Sequence, residues 1–318
     1  MPRLAVFAAA LALATVAVAK RADNPYCKMD PFMNPAKDLC NPLRYIPNLP
    51  LNATAVALYA ACASVFTFYE FRHRGKYFLC LTIGTWCEAI GLALRIALRK
   101  DPHSIGLYIS MYMFVVLSPC AFLAADYILL GRIVKHLKAS RYLFLNPDKV
   151  SWTFVISDII TFCIQAAGGG MSTSDGMHKV GSNIFLAGLI LQLMSFALFS
   201  MLYVVFLFRV QKDSKVWNHP GWKPLYSALG VTCIMFLTRS VFRTIELSQG
   251  YAGHLTIHEV YWAALDALPL LLGIAVYCYF WPPAILTPES AIVAELEVGG
   301  DETESSSGTP SHVTEEKA

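Results

Sequence analysis

Charge is scarce in this chain: only 15% of its 318 residues are Asp, Glu, Lys or Arg, while 56% are hydrophobic. A soluble domain of this length needs more polar surface, so that class is excluded and lipid is the solvent the exterior fits. No run of Lys and Arg is long enough to follow a phosphate backbone, which excludes nucleic acid as a partner. There is no C-x-x-C and no Cys/His quartet, so a structural zinc site has no ligands to draw on. Gly168-Gly169-Gly170 lacks a following Walker lysine and reads as the start of a flexible outer loop rather than a phosphate cradle. Short alternating strands are missing as well, which excludes a membrane barrel. Nothing calls for a cofactor.

What the chain has instead is long apolar runs. Seven of them, about 51–71, 77–98, 106–130, 150–167, 183–208, 224–247 and 259–280, have the length a tilted helix needs to cross a bilayer. The fold class expected is therefore all-α, a polytopic bundle of seven transmembrane helices over residues 51–280. Ahead of it, Arg3, the short run Leu4 to Ala19 and the small residues Ala17-Val18-Ala19 read as a cleaved signal peptide over 1–19, with an uncleaved eighth helix as the alternative.

Orientation follows from the loops. Arg72, Arg74, Lys76, Arg132, Lys135, Lys138, Arg141, Lys149, Arg209, Lys212, Lys215 and Lys223 fall on one side, against Arg99, Lys100 and Lys179 on the other. The positive-inside rule then places residues 20–50 outside and the tail 281–318 in the cytosol, as export by a signal peptide also requires. The tail turns acidic and carries Ser305-Ser306-Ser307, a composition for a disordered segment open to cytosolic kinases and partners. Of nine cysteines, only Cys27 and Cys40 lie in the exported segment, where an oxidising compartment favours a disulfide between them. Asn52-Ala53-Thr54 is a glycosylation sequon too close to the first span to be reached.

The spans hold nine ionisable residues: Glu88, Arg95, Asp126, Asp158, Arg239, Arg243, Glu246, Glu259 and Asp266. Each costs roughly 2.5 to 3.5 kcal/mol at mid-membrane when unpaired, so they must face one another or a wet cavity. Glu88 and Arg95, Arg239 and Glu246, and Glu259 and Asp266 are each seven apart, close to two helical turns, which puts each pair on one face. Two readings stay open on the residues alone: an ion-pair network that fixes helix register, and a substrate site. Under the second, six carboxylates against three arginines favour a cationic head group, and Asp266→Asn is expected to abolish its transport without loss of stability. Pro119 and Pro269 interrupt the third and seventh spans, as a gate would allow. His254-x-x-x-His258 has metal-compatible spacing but no obvious third ligand.

Several fragments in order carry a resemblance. They are Tyr45-Ile46-Pro47, Glu88-x-x-Gly91-x-x-x-Arg95, Pro119 with Tyr127-Ile128-Leu129-Leu130-Gly131-Arg132, and Asp158 before Gln165-x-x-Gly168-Gly169-Gly170. They continue with Gly188-Leu189-x-x-Gln192, Arg239-x-x-x-Arg243-x-x-Glu246-x-x-x-Gly250, and His258-Glu259 with Asp266-x-x-Pro269. Over about 45–280 the chain resembles the fungal seven-helix RTA-like proteins, the lipid-translocating exporters, which include a sphingoid long-chain base transporter. The resemblance implies a plasma-membrane or endomembrane protein that exports or flips amphipathic lipids and gives resistance to toxic ones. The residues themselves mark the site: the outer-half cluster of Arg95, Arg239, Arg243, Glu246, Glu259 and Asp266, reaching down to Glu88, is expected to wall a head-group site open to the outer leaflet, with Asp158, Gln165 and Gln192 counted among its binding residues. Leu92 and Ala263 stand where the family often has aromatics, and Asp126 is outside the pattern.

Two other classes remain as alternatives. A seven-helix receptor shares the topology, yet no Cys stands near the top of the third span and no Asp-Arg-Tyr element occurs. A zinc-dependent membrane lipid hydrolase rests on His254 and His258 alone. The last span has no Lys for a retinal Schiff base, which excludes that class.

Overall fold

In bilayer hydrocarbon every backbone N–H and C=O must be satisfied within its own segment, so the apolar runs form helices. A computed structural model describes residues 32–33, 35, 38, 41–73, 76–137, 139, 142, 147–172, 176–213, 217, 222–250 and 253–286. The signal peptide, Cys27, Cys40 and the acidic tail lie outside the described residues. Seven helices are long and apolar enough to cross a membrane. They are α1 (Leu49–His73), α2 (Leu79–Lys100), α3 (Ile105–His136), α4 (Pro147–Ser172), α5 (His178–Val210), α6 (Trp222–Ser248) and α7, which runs from Glu259 to Tyr279 in three consecutive pieces. Among the described residues there is no strand.

Each helix packs on the next in sequence, α7 closes the ring on α1, and α3 sits inside against α6 as well as its neighbours. The burial pattern follows: α3 buries Phe122, Ala125, Leu129 and Ile133, while Met194, Leu198 and Met201 of α5 and Ile156, Ile159 and Ile160 of α4 are exposed. Such an apolar exterior is what lipid covers, and the chain is an integral membrane protein. At the end where α1 finishes, Phe66, Phe78, Tyr277 and Trp281 interlock, with the Phe66 and Trp281 rings stacked at 5.6 Å.

The helices outrun the apolar runs, and the glycine triplet shows why. Gly168-Gly169-Gly170 belongs to the last turns of α4, which continues to Ser172, and the expected outer loop starting at Gly168 does not exist. The reason is a close crossing: a Cβ on Gly168 would lie 2.5 Å from the Phe185 nitrogen, and one on Gly181 would lie 2.3 Å from the Ser172 nitrogen. Without a hydrophobic drive between membrane helices, small residues that admit close backbone approach are what hold such a pair together. Gly168→Ala is expected to cost about 1–3 kcal/mol through overpacking, read as a lowered melting temperature of detergent-solubilised protein. Gly170→Ala, where an added Cβ meets nothing within 4 Å, serves as the neutral comparison.

Helix α7 is irregular where the sequence places Pro269. Its first turn, Glu259–Trp262, leads into a π-helical segment, Ala263–Ala267, before regular helix resumes over Leu268–Tyr279. A proline ring collides with the carbonyl four residues back, and the wider π turn relieves that contact. The Tyr59 hydroxyl of α1 donates to the Ala267 carbonyl at 2.8 Å and ties the irregular segment to α1. Pro119, by contrast, sits inside an unbroken α3.

Candidate functional site

The charged stripes meet near the end of the bundle where α1 begins. Arg95, two turns beyond Glu88 on α2, donates to the Tyr45 hydroxyl from the segment preceding α1. Its guanidinium lies 3.6 Å from the centre of the Trp262 ring and 5.5 Å from that of Tyr45. Its Nη2 is 3.6 Å from Glu259 Oε1. Glu259 opens α7 and is fixed in turn, accepting the Asn48 backbone N–H and the Asn52 side-chain amide, each at 2.7 Å. Asn52 is fully buried, and its amide serves this contact.

One layer deeper, Asp266 on the π segment holds two arginines of α6. Arg239 Nε lies 2.7 Å from Asp266 Oδ1, a Coulombic pair whose N–H is not aimed at the oxygen, and Arg243 Nε lies 3.5 Å from Oδ2. Arg243 also donates to Glu246 at 2.8 Å, one turn along the same helix. The seven-residue stripes therefore converge as the spacing requires: α2, α6 and α7 turn their charged faces to a common interior.

Between these side chains lies a cavity of about 80 Å³, walled by Arg95, Arg239, Arg243, Glu246, Gln165 and Gln192, with Tyr45, Tyr108, Tyr112 and Trp262 completing it. Gln165 donates to Gln192 at 2.8 Å, and Gln192 donates to the Cys120 sulfur at 3.3 Å. Gly188 makes room for this pair, since a Cβ there would fall 2.7 Å from Gln165 Cγ. The volume holds a few water molecules or a small polar head, not a whole lipid.

Four of the expected site residues are off the cavity wall: Glu259, paired with Arg95, and Asp158, Glu88 and Asp266. Asp158 lies two turns, about 10 Å, from Gln165 along α4, where it accepts from Tyr127 at 2.9 Å, and it does not line the cavity. Glu88 is buried beneath the arginine layer and takes the Ser118 hydroxyl. Asp266 faces the arginines from behind rather than the cavity. Among the described residues, Glu246 is the one carboxylate on the wall, opposite three guanidiniums. The surplus of acid counted over the spans is not on the cavity wall: three carboxylates face the arginines and three accept from hydroxyl groups on other helices. The third of these, Asp126, receives Tyr277 at 2.7 Å and Thr232 at 2.8 Å, tying α3 to α6 and α7.

Four aromatic side chains of the wall were missed from sequence: Tyr45, Tyr108, Tyr112 and Trp262. Trp262 is three residues past Glu259 and four before Asp266, so the charged face of α7 carries it, but a Trp in a span reads equally well as lipid-facing. Tyr45 lies outside any periodic run. Desolvation pushes its phenol up to about 12, Arg95 pulls it down, and Glu259 and Glu246 push it up again. Because the folded value is raised, the stabilisation is whole below the unfolded phenol value of about 10 and is lost as pH climbs through about 12. The stability difference between Tyr45→Phe and the parent protein is expected to be constant below about pH 10 and to change with pH only in that window.

The histidine pair is a loop feature. His254–Ile257 forms a single helical turn, and His258 Nδ1 donates to the His254 carbonyl at 2.9 Å. Among the described residues, no group of three or more His, Cys, Asp or Glu is placed to hold a metal ion.

Fold and site together define a seven-helix membrane protein whose polar side chains converge on a partly open cavity near an end of the bundle. The model of the family described as RTA1 like protein matches residues 81–289, and the chain belongs to that family. It is 33% identical over 202 residues to Protein RTA1 of Saccharomyces cerevisiae, covering 63% of each chain. It is 27% identical over 196 residues to the same yeast's Protoporphyrin uptake protein 1, covering 61% of this chain and 65% of that one. It is 23% identical over 276 residues to the Sphingoid long-chain base transporter RSB1, covering 74% and 72%. The chain thus matches less than two thirds of the length of the first two of these relatives. No solved structure matches.

Proposed function

We propose that the protein translocates amphipathic lipids of the long-chain-base or sterol-like kind across the membrane and so protects against toxic ones. The observation that carries this reading is the cavity: guanidinium, carboxylate, phenol and amide groups gathered inside an otherwise apolar bundle, in a volume suited to a lipid head. In it Glu246 takes an amine, while Arg95, Arg239 and Arg243 take hydroxyl or other oxygen acceptors. A sphingoid base offers both kinds of group. Two relatives named for transport or uptake of amphipathic molecules point the same way, and none of the three is named for a reaction.

The end holding Tyr45 faces outside in this reading, with the positively charged loops and the tail in the cytosol and the plasma membrane as the site of action. Residues 1–19 act as a signal peptide, Cys27 pairs with Cys40, and the serine run of the tail is open to kinases. Purified protein in liposomes should speed the flip of a fluorescent long-chain base well beyond protein-free vesicles. Equal rates in the two would overturn the reading.

A further inference from the structure

The seam between α1 and α7 is the most sparsely packed of the seven seams around the ring. Along it runs a groove of about 440 Å³, several times the polar cavity of about 80 Å³. Leu51, Ala55 and Leu58 of α1 and Ala263 and Leu268 of α7 form its sides. Trp262 is in both walls, the groove's and the cavity's, and its ring is the one on which Arg95 rests at 3.6 Å. Polar residues, Asn48 and Thr54, line the groove where α1 begins, and the Asn48 N–H is bound to Glu259. Nearby, the Asn52 side-chain oxygen is buried with no hydrogen-bond partner among the described residues.

We propose that this seam binds the hydrocarbon chain of the transported lipid and is the lateral path by which its head reaches the cavity from the membrane. The inference rests on the lipid-translocation reading and adds where the lipid lies. Lipid tails are as apolar as the leucines they touch, so nothing drives a sparse seam to close on itself, and a furrow of methyl and ring surfaces is filled by an alkyl chain. The head cannot be followed by its chain into the cavity, which is too small, so the chain must stay in a groove that adjoins it. Only a groove sharing a wall with the cavity allows both at once, and Trp262 is that wall. Asn48 and Thr54 make the groove's polar end, where an amine or hydroxyl head would arrive first. The π segment Ala263–Ala267 flanks the groove, in a place where helices commonly carry functional irregularity.

The test uses full-length purified protein in nanodiscs and sphinganine bearing a mid-chain diazirine. After photolysis, labelled peptides are expected from 49–58 of α1 and 262–271 of α7. Ala55→Phe and Ala263→Leu each narrow the groove without touching a charged group, and each should cut that labelling at least fivefold. Two substitutions on different helices guard against one that fails to fold. Label spread evenly around the bundle, or concentrated on the exposed faces of α4 and α5, overturns the proposal. So does a folded Ala55→Phe protein that labels as the parent does. Labelling is read without transport, which separates the two failures: seam labelling with no flip in liposomes leaves the seam and sinks the transport reading. Normal flip with label elsewhere does the reverse.

Discussion

Asp266→Asn is expected to destabilise the protein by about 3–5 kcal/mol, the cost of breaking a buried ion pair by removing one partner. Asp266 is the shared counter-ion of Arg239 and Arg243, at 2.7 and 3.5 Å, and it is almost fully buried. The amide keeps the shape and loses the charge, leaving Arg239 with no other ion pair among the described residues and Arg243 with Glu246 alone. The measurement is thermal melting in detergent, with surface abundance in cells as a second readout. Joining Arg239→Met to Asp266→Asn should recover part of the loss, because the uncompensated charge is then gone. An Asp266→Asn protein as stable as the parent would instead return Asp266 to direct contact with ligand, the role the sequence alone assigned to it.

That reversal marks how far the sequence could be read. The seven spans were legible because each is a long apolar run, and the convergence of α2, α6 and α7 was legible because pairs seven residues apart fix a face. A lone residue has no such stripe. Asp158 shows its depth in the sequence but not its direction, and the direction of α4 is set by the crossing at Gly168 and Gly181, which turns Asp158 to Tyr127. The charge balance failed for a related reason. A sum over the spans does not say which carboxylate faces which group, and Ser118, Tyr127, Thr232 and Tyr277 absorb three of the six. Hydroxyl partners are invisible to a count of charges. Helix ends were misplaced where small residues extend a helix for packing, as in the glycine triplet of α4. The groove was hidden altogether, since an apolar residue facing lipid and one facing a lipid's chain have the same pattern.

Glu246→Gln is expected to have the opposite profile to Asp266→Asn, with a large functional effect and a smaller structural one. Among the described residues, Glu246 is the one carboxylate on the cavity wall, and its partner Arg243 keeps Asp266 at 3.5 Å when the charge is removed. The pair lies within a single turn of α6 with each side chain 13% exposed, and because Arg243 keeps a second counter-ion the loss is expected to stay below the roughly 3–5 kcal/mol of Asp266→Asn. Flip of a fluorescent long-chain base should fall at least tenfold, because its ammonium then meets three guanidiniums with no carboxylate between them. An analogue with a hydroxyl in place of the amine should be carried about as well as by the parent protein, since its acceptor contacts to Arg95, Arg239 and Arg243 are untouched. The comparison of the two lipids is what assigns the role: equal loss of both means that Glu246 holds the arginines in place, and equal retention of both removes it from the site. Selective loss of the amine means that the wall reads the head group's charge through this one side chain.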